Sequence, residues 1–151
     1  MTSIAVEIST DASPAAVWDA VRDIGALHTR LVPGFVVATE LVAGGRRVTF
    51  GNGMVVTEPI VSLNDGLRRL VWTAQGGSLG LAHYNAAVQV YPREIGGSRV
   101  VWTADILPDE AAVPIGTMMR EGAIAMNTAL AELAETNPSP WSKAGVVNTR
   151  R

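Results

Sequence analysis

The chain is predicted to fold as an α+β domain, with a curved, seven-stranded antiparallel sheet wrapped around one long C-terminal helix and two short helices after the first strand. Three observations predict this. Six β-branched or aromatic runs follow one another between residues 35 and 107, broken only by short turns such as "AGG", "GNG" and "NDG", the pattern of an antiparallel meander. The segment "PDEAAVPIGTMMREGAIAMNTALAELAE" then carries Ile115, Met119, Gly122, Met126, Leu130 and Leu133 at spacings of three and four, one apolar stripe on one helix. Such a stripe must be buried, and the concave face of a strongly curved sheet is the available partner. A sheet bent around a single helix curves more than the helix fills, so a cavity is expected between them.

The elements follow in order. "SIAVEIS" alternates, so residues 3–9 read as a strand with Ile4, Val6 and Ile8 on one face. In "DASPAAVWDAVRDIG", Ser13 is a good N-cap and Pro14 suits the first helical position, while Val17, Val21 and Ile24 recur at helical spacing until Gly25. A second short helical turn is expected around residues 26–30. Strands follow at 35–42, 46–50, 54–63, 68–74, 82–91 and 98–107. Pro59 lies inside the third of these and argues for an edge or a bulge, because it cannot donate to a ladder. Asp109 is expected to cap an opening turn, and Pro114 to restart the long helix, since proline lacks the N–H an interior position needs. Residues 1–136 are thus read as one domain and 137–151 as a tail, with Trp141 as its natural anchor.

The 151 residues carry a formal net charge of −2, and 48% are apolar against 17% charged. The chain can bury a sizeable core and lacks the basic balance of a nucleic-acid binder. With no cysteine, disulfides, thiol nucleophiles and Cys-ligated metal sites are excluded. No apolar run approaches the ~18 residues that span a bilayer, and the N-terminus has no basic n-region, so membrane insertion is not expected and a cytoplasmic location is the default.

Strand parity nominates groups that face the cavity. Met54, Val56, Glu58 and Ile60 share a face, which places Glu58 as a carboxylate among apolar neighbours. There desolvation would favour its neutral form and poise it for proton transfer. The alternative is that Val55, Thr57 and Val61 are the inner face, or that a bulge at Pro59 turns Glu58 to solvent. Tyr84 shares parity with Ala86, Val88 and Val90, so its phenol is expected inside, suited to orienting a carbonyl. Trp72 and Trp102 read as cavity wall. His28 and His83 have no metal-ligand spacing, and there is no Ser-His-Asp order or phosphate-cradling glycine loop, so no metal and no cofactor is expected. Met118, Met119 and Met126, with Gly116 and Gly122 between, form an adaptable wall.

Three stretches, "SPAAVWDAVRDIGAL", "GNGMVVTEPIV" and "VVWTADILPDE", give residues 3 to about 134 a resemblance to the START-like (SRPBCC) superfamily. This superfamily has the helix-grip fold and includes birch-pollen-allergen-like and polyketide cyclase/dehydrase-like proteins. Where a Trp often precedes the Pro in that family, this chain has "RLVPG". The resemblance implies a lid at His28–Arg30 over the cavity opening, where Arg30 would hold a carboxylate or enolate oxygen; the plain alternative is that both are solvated loop residues. It also implies a small hydrophobic or aromatic ligand, polyketide- or lipid-like, with His28, Phe35, Phe50, Trp72, Trp102, Ile115, Met119 and Met126 as its contacts.

Three functions are open, the first two sharing one pocket and the third using the sheet's outer face or the tail with Trp141. The first is a carrier or sensor of an apolar molecule. The second is a cofactor-independent cyclase, aromatase or dehydratase in which Glu58 moves a proton and Tyr84 or Arg30 steadies an oxygen. The third is an interaction module, in which outward Val55, Val61, Val71 and Val101 form a patch suited to a homodimer. The carrier ranks first, because no complete acid/base set is evident.

Overall fold

The computed structural model describes residues 1–77 and 80–136; the tail and Trp141 lie outside the described residues. Eight strands make one antiparallel sheet: β1 (Thr2–Thr10), β2 (Val36–Val42), β3 (Gly45–Phe50), β4 (Val55–Asn64), β5 (Arg69–Thr73), β6 (Gln75–Gly76), β7 (His83–Pro92) and β8 (Ser98–Leu107). Their order is β1-β8-β7-β5-β4-β3-β2, with β6 paired to β4. The meander from β2 to β8 is therefore continuous, and the first strand closes beside the last. The two-residue β6 is the one strand not expected from sequence. It is too short to show a period.

Helix α1 (Pro14–Arg22) starts as its sequence dictates: the Ser13 hydroxyl accepts from the Ala16 N–H at 3.2 Å and Pro14 occupies the first position. It buries Val17, Trp18, Ala20 and Val21. Trp18 finds a partner for its indole N–H in Asp65 at 2.8 Å, which fastens α1 to the β4–β5 turn. A 3-10 turn (Ile24–Ala26) and a single π turn (Leu27–Leu31) follow, with Leu27 and Leu31 buried.

Helix α2 (Ala112–Thr136) buries Ile115, Gly116, Met119, Gly122, Met126 and Leu130 and packs on the inner face of the sheet, where the Thr10 hydroxyl donates to the Leu130 carbonyl at 3.3 Å. It begins two residues before Pro114, in the first turn, where backbone N–H groups have no helical partner in any case. Asp109 does not cap the opening turn but is its first residue: the 3-10 turn Asp109–Ala111 has Pro108 at its N-cap and no side-chain cap. The Asp109 carboxylate pairs with the N-terminal amine at 3.0 Å and accepts from Thr2 at 2.8 Å.

Two further expectations are corrected. Pro59 is on a central strand, not an edge, while the bulge alternative holds close by: β4 pairs β5 through Ile60–Trp72 with a register shift between Ile60 and Ser62, and pairs β6 through Thr57–Gln75, so that Pro59 falls at the gap between these ladders, where no N–H is required. Of the outward valines, Val55 and Val61 are exposed but Val71 is buried and Val101 half-buried. Val71 sits on a central strand opposite Ala87, itself buried, and flanking strands cover it from both sides.

Candidate functional site

The inner face of the sheet and the stripe of α2 enclose a cavity of about 70 Å³. Its wall is apolar and aromatic: Phe35, Phe50, Trp72, Tyr84 and Trp102 supply rings, and Ile115, Met118, Met119 and Met126 form the helix side. The Phe35 and Phe50 rings meet edge to face, 5.4 Å between centroids, and together with Met118 they border both this cavity and an outer pocket of about 230 Å³ that includes Gly34, Asn52 and Glu121. These three side chains are common to both spaces. A smaller pocket of about 50 Å³ adjoins on the side of Met54 and Leu81, sharing Phe50, Glu58, Tyr84 and Met118.

At one end of the cavity lies an ion pair. Arg46 is 2% exposed and Glu58 7%, and the Arg46 Nε donates to Glu58 Oε1 at 2.8 Å. Their strands place them face to face, because Arg46 and Glu58 are directly paired across the β3–β4 hairpin. Gly45 permits the close approach: a Cβ there would lie 2.2 Å from the Glu58 carbonyl oxygen. The guanidinium also reaches the Ile24 carbonyl at 3.4 Å and sits 5.4 Å from the centre of the Trp72 ring, within cation–π range. Burial pushes the Glu58 carboxyl upward from the ordinary range, and Arg46 opposes that shift without cancelling it. The Trp72 indole N–H lies near enough to favour the charged carboxylate, yet it lacks the geometry of a hydrogen bond. Tyr84 is pushed up as well, first by burial and then by the Glu58 charge, so its phenol stays protonated and can only donate or accept as a neutral group.

The cavity thus brings together most side chains nominated from the sequence, including Glu58 and Tyr84. It does not include Arg30 or His28. Arg30 follows the plainer of its two readings: its fork is spent on Asp19 at 2.7 Å, Asp23 at 3.0 Å and the Asp19 carbonyl at 3.2 Å, so it ties the π turn back to α1 instead of reaching into the pocket. His28 lies on the same turn with a buried Nδ1 that has no hydrogen-bond partner among the described residues. Arg46 is the polar group that sequence reasoning missed. A signal existed, since Arg46 and Glu58 are equidistant from Asn52 at the centre of the "GNG" turn, and Arg46 shares parity with Val48 and Phe50. Among the described residues no cluster of His, Asp and Glu could hold a metal ion, and no helix is long and apolar enough to cross a membrane.

A family model described as polyketide cyclase/dehydrase and lipid transport matches residues 1–136. Among solved structures, the protein XoxI from Bacillus cereus is similar with a TM-score of 0.77 at 20% identity, covering 86% of this chain and 96% of its own. The Zhui aromatase/cyclase from Streptomyces sp. R1128 is similar with a TM-score of 0.72 at 16% identity over 95% of this chain and 98% of its own. Ara h 8.0201 follows the same path with a TM-score of 0.65 at 20% identity, over 85% and 97%. At these identities the likeness is one of fold, the helix grip. No curated protein matches the chain.

Proposed function

The chain belongs to the polyketide cyclase/dehydrase and lipid transport family, and from that premise we propose that it binds a small hydrophobic or aromatic molecule, polyketide- or lipid-like, in the cavity between sheet and α2, as a carrier or sensor. The observation that carries this reading is the aromatic and aliphatic wall around about 70 Å³ of space, with the Arg46–Glu58 pair as its charged part. Apolar ligands gain about 25 cal/mol for each Å² taken out of water, and the polar end fixes orientation. Met118, Met119 and Met126 are unbranched and can repack around different shapes. The ligand would enter past Phe35, Phe50 and Met118, the side chains between the cavity and the outer pocket.

The test is native mass spectrometry of the purified protein, denaturing extraction of any bound molecule, and titration with 1-anilinonaphthalene-8-sulfonate. A co-purified apolar species, or saturable dye binding lost on filling the cavity by Leu70→Trp, supports the reading. A folded protein that carries nothing and takes up no dye contradicts it.

A second reading is favoured by one observation, the buried carboxyl beside Tyr84. In that reading Glu58 as carboxylate takes a proton α to a ketone, and the electron pair moves to the carbonyl oxygen, held by the Tyr84 hydroxyl and by Arg46 in the place first assigned to Arg30. Glu58→Gln would then abolish turnover of a ketone substrate, whereas in a carrier there is no turnover to lose and ligand affinity changes.

A further inference from the structure

The hydrogen-bonding groups on the cavity wall are unequal in kind. Glu58 is its acceptor, and Arg46 already engages it. The donors include the Tyr84 hydroxyl and two indole N–H groups, those of Trp72 and Trp102, neither of which has a hydrogen-bond partner among the described residues. Both tryptophans are more than nine-tenths buried, at 5% and 8% exposure. They are not equivalent. Trp72 lies beside the Glu58 carboxylate, whereas Trp102 stands away from that pair: Trp72 is paired with Ala86 and Trp102 with Val88 across β7, which puts their Cα atoms on a diagonal of about 12 Å, two strand spacings by two residues.

The Trp102 ring is held in place by packing. A Cβ on Gly122 would lie 2.8 and 2.9 Å from its Cζ3 and Cη2 atoms and 3.0 Å from Phe35 Cε2, so the benzo edge rests directly on the backbone of α2, at a mid-helix position where glycine is otherwise disfavoured. The residue lines the cavity, and its buried indole N–H has no partner among the described residues. Phenylalanine would have filled an apolar wall without burying a polar N–H, and a buried donor normally finds an acceptor.

We propose that Trp102 is a recognition residue: the molecule held in the cavity presents a hydrogen-bond acceptor, a ketone, quinone or ester oxygen, to the Trp102 indole N–H, at a point separate from the Arg46–Glu58 end. The cavity then selects carbonyl-bearing apolar molecules over hydrocarbons of the same shape. This rests on the cavity being the ligand site, as proposed above.

The experiment uses a matched pair of probes, 9-fluorenone and fluorene, which share a skeleton and differ in a carbonyl against a methylene. Their affinities for the full chain are measured in wild type and in Trp102→Phe, which keeps an aromatic wall and removes the donor. Trp102→Phe is expected to weaken fluorenone by about 2- to 10-fold, the range of one neutral hydrogen bond, and to change fluorene by no more than a factor of about 2, so that the cycle isolates the N–H. In wild type, ¹H–¹⁵N spectra provide a readout that needs no variant: the Trp102 indole resonance moves with fluorenone and not with fluorene, while Trp18, engaged by Asp65, serves as reference. Equal losses for both probes, or an indole resonance indifferent to the carbonyl, overturn the Trp102 assignment and leave cavity binding standing. Failure of both probes to bind overturns both.

Discussion

Breaking the Arg46–Glu58 pair from either side should cost stability unequally. Arg46 and Glu58 are 2% and 7% exposed and 2.8 Å apart, and removal of one partner of such a buried pair typically costs about 3–5 kcal/mol because the other charge is left alone. The two orphans differ in what they can do about it. Glu58 without Arg46 can take up a proton, since burial already pushes its carboxyl upward, so Arg46→Met falls at the low end, about 3 kcal/mol. Arg46 without Glu58 cannot shed its charge and keeps only the Ile24 carbonyl and the Trp72 face, so Glu58→Leu falls at the high end, about 5 kcal/mol. At roughly 2–4 °C per kcal/mol for a chain of this size, these are Tm losses of about 6–12 °C and 10–20 °C. The double variant Arg46→Met/Glu58→Leu should return to within about 1 kcal/mol of wild type or exceed it, because no buried charge remains. Urea unfolding followed by tryptophan fluorescence, checked by calorimetry, measures all three. Two strictly additive losses, or a smaller loss for Glu58→Leu than for Arg46→Met, would refute the reasoning.

Further expectations concern the same core. Because the Glu58 carboxyl is raised in the folded chain by burial, its contribution is fully present below the unfolded value of about 4.5 and is lost as pH rises through the folded value. Wild type should therefore gain stability relative to Glu58→Gln as pH falls through that window, and a relative loss would mean that Arg46 outweighs desolvation. Gly116→Ala and Gly122→Ala should have opposite signs. At 116 the new methyl meets the end of the long Arg120 side chain at 3.3 Å and Ile4 Cδ1 at an ordinary 3.8 Å, and up to about 1 kcal/mol of helix propensity is gained; at 122 it meets Trp102 and Phe35 at 2.8–3.0 Å, an overpacking cost of about 1–3 kcal/mol, and thermal unfolding separates the two. Arg30→Ala should shift stability by at most about 1 kcal/mol, as for other exposed ion pairs, and leave probe affinity unchanged in fluorescence titration, since its partners are Asp19 and Asp23.

What the sequence revealed, and what it concealed, follows the range of the interactions involved. Glu58 and Tyr84 could be assigned a face because a strand repeats every two residues and each run is long enough to count. Arg46 needed a second step, the pairing of β3 with β4 about Asn52; without it, an arginine next to another arginine reads as surface. Arg30 stayed open between a pocket-mouth role and a plain loop residue because its fate depends on the π turn folding back against α1, a contact between elements that no local period encodes. Val71 was misjudged for a related reason, since alternation tells inside from outside but not how far the neighbouring strands cover an outward side chain.

The features that local rules do not explain gather at the cavity. A buried ion pair is often less stabilising than apolar residues of the same volume, an unpartnered buried N–H costs its full desolvation, and a mid-helix glycine gives up helix propensity. Arg46, Glu58, Trp72, Trp102 and Gly122 incur all three around one space. Elsewhere several buried polar groups are satisfied: Trp18 has Asp65, Ser98 has the Ala12 carbonyl, Thr10 has the Leu130 carbonyl, while His28 Nδ1 and Thr39 Oγ1 are unpartnered atoms outside the cavity lining. Departures from local consistency are expected at functional sites. The gathering of several of them around one cavity argues that the missing counterpart there is a bound molecule, and that ligand binding should restore part of the stability the wall forgoes, a rise in Tm that grows with ligand concentration.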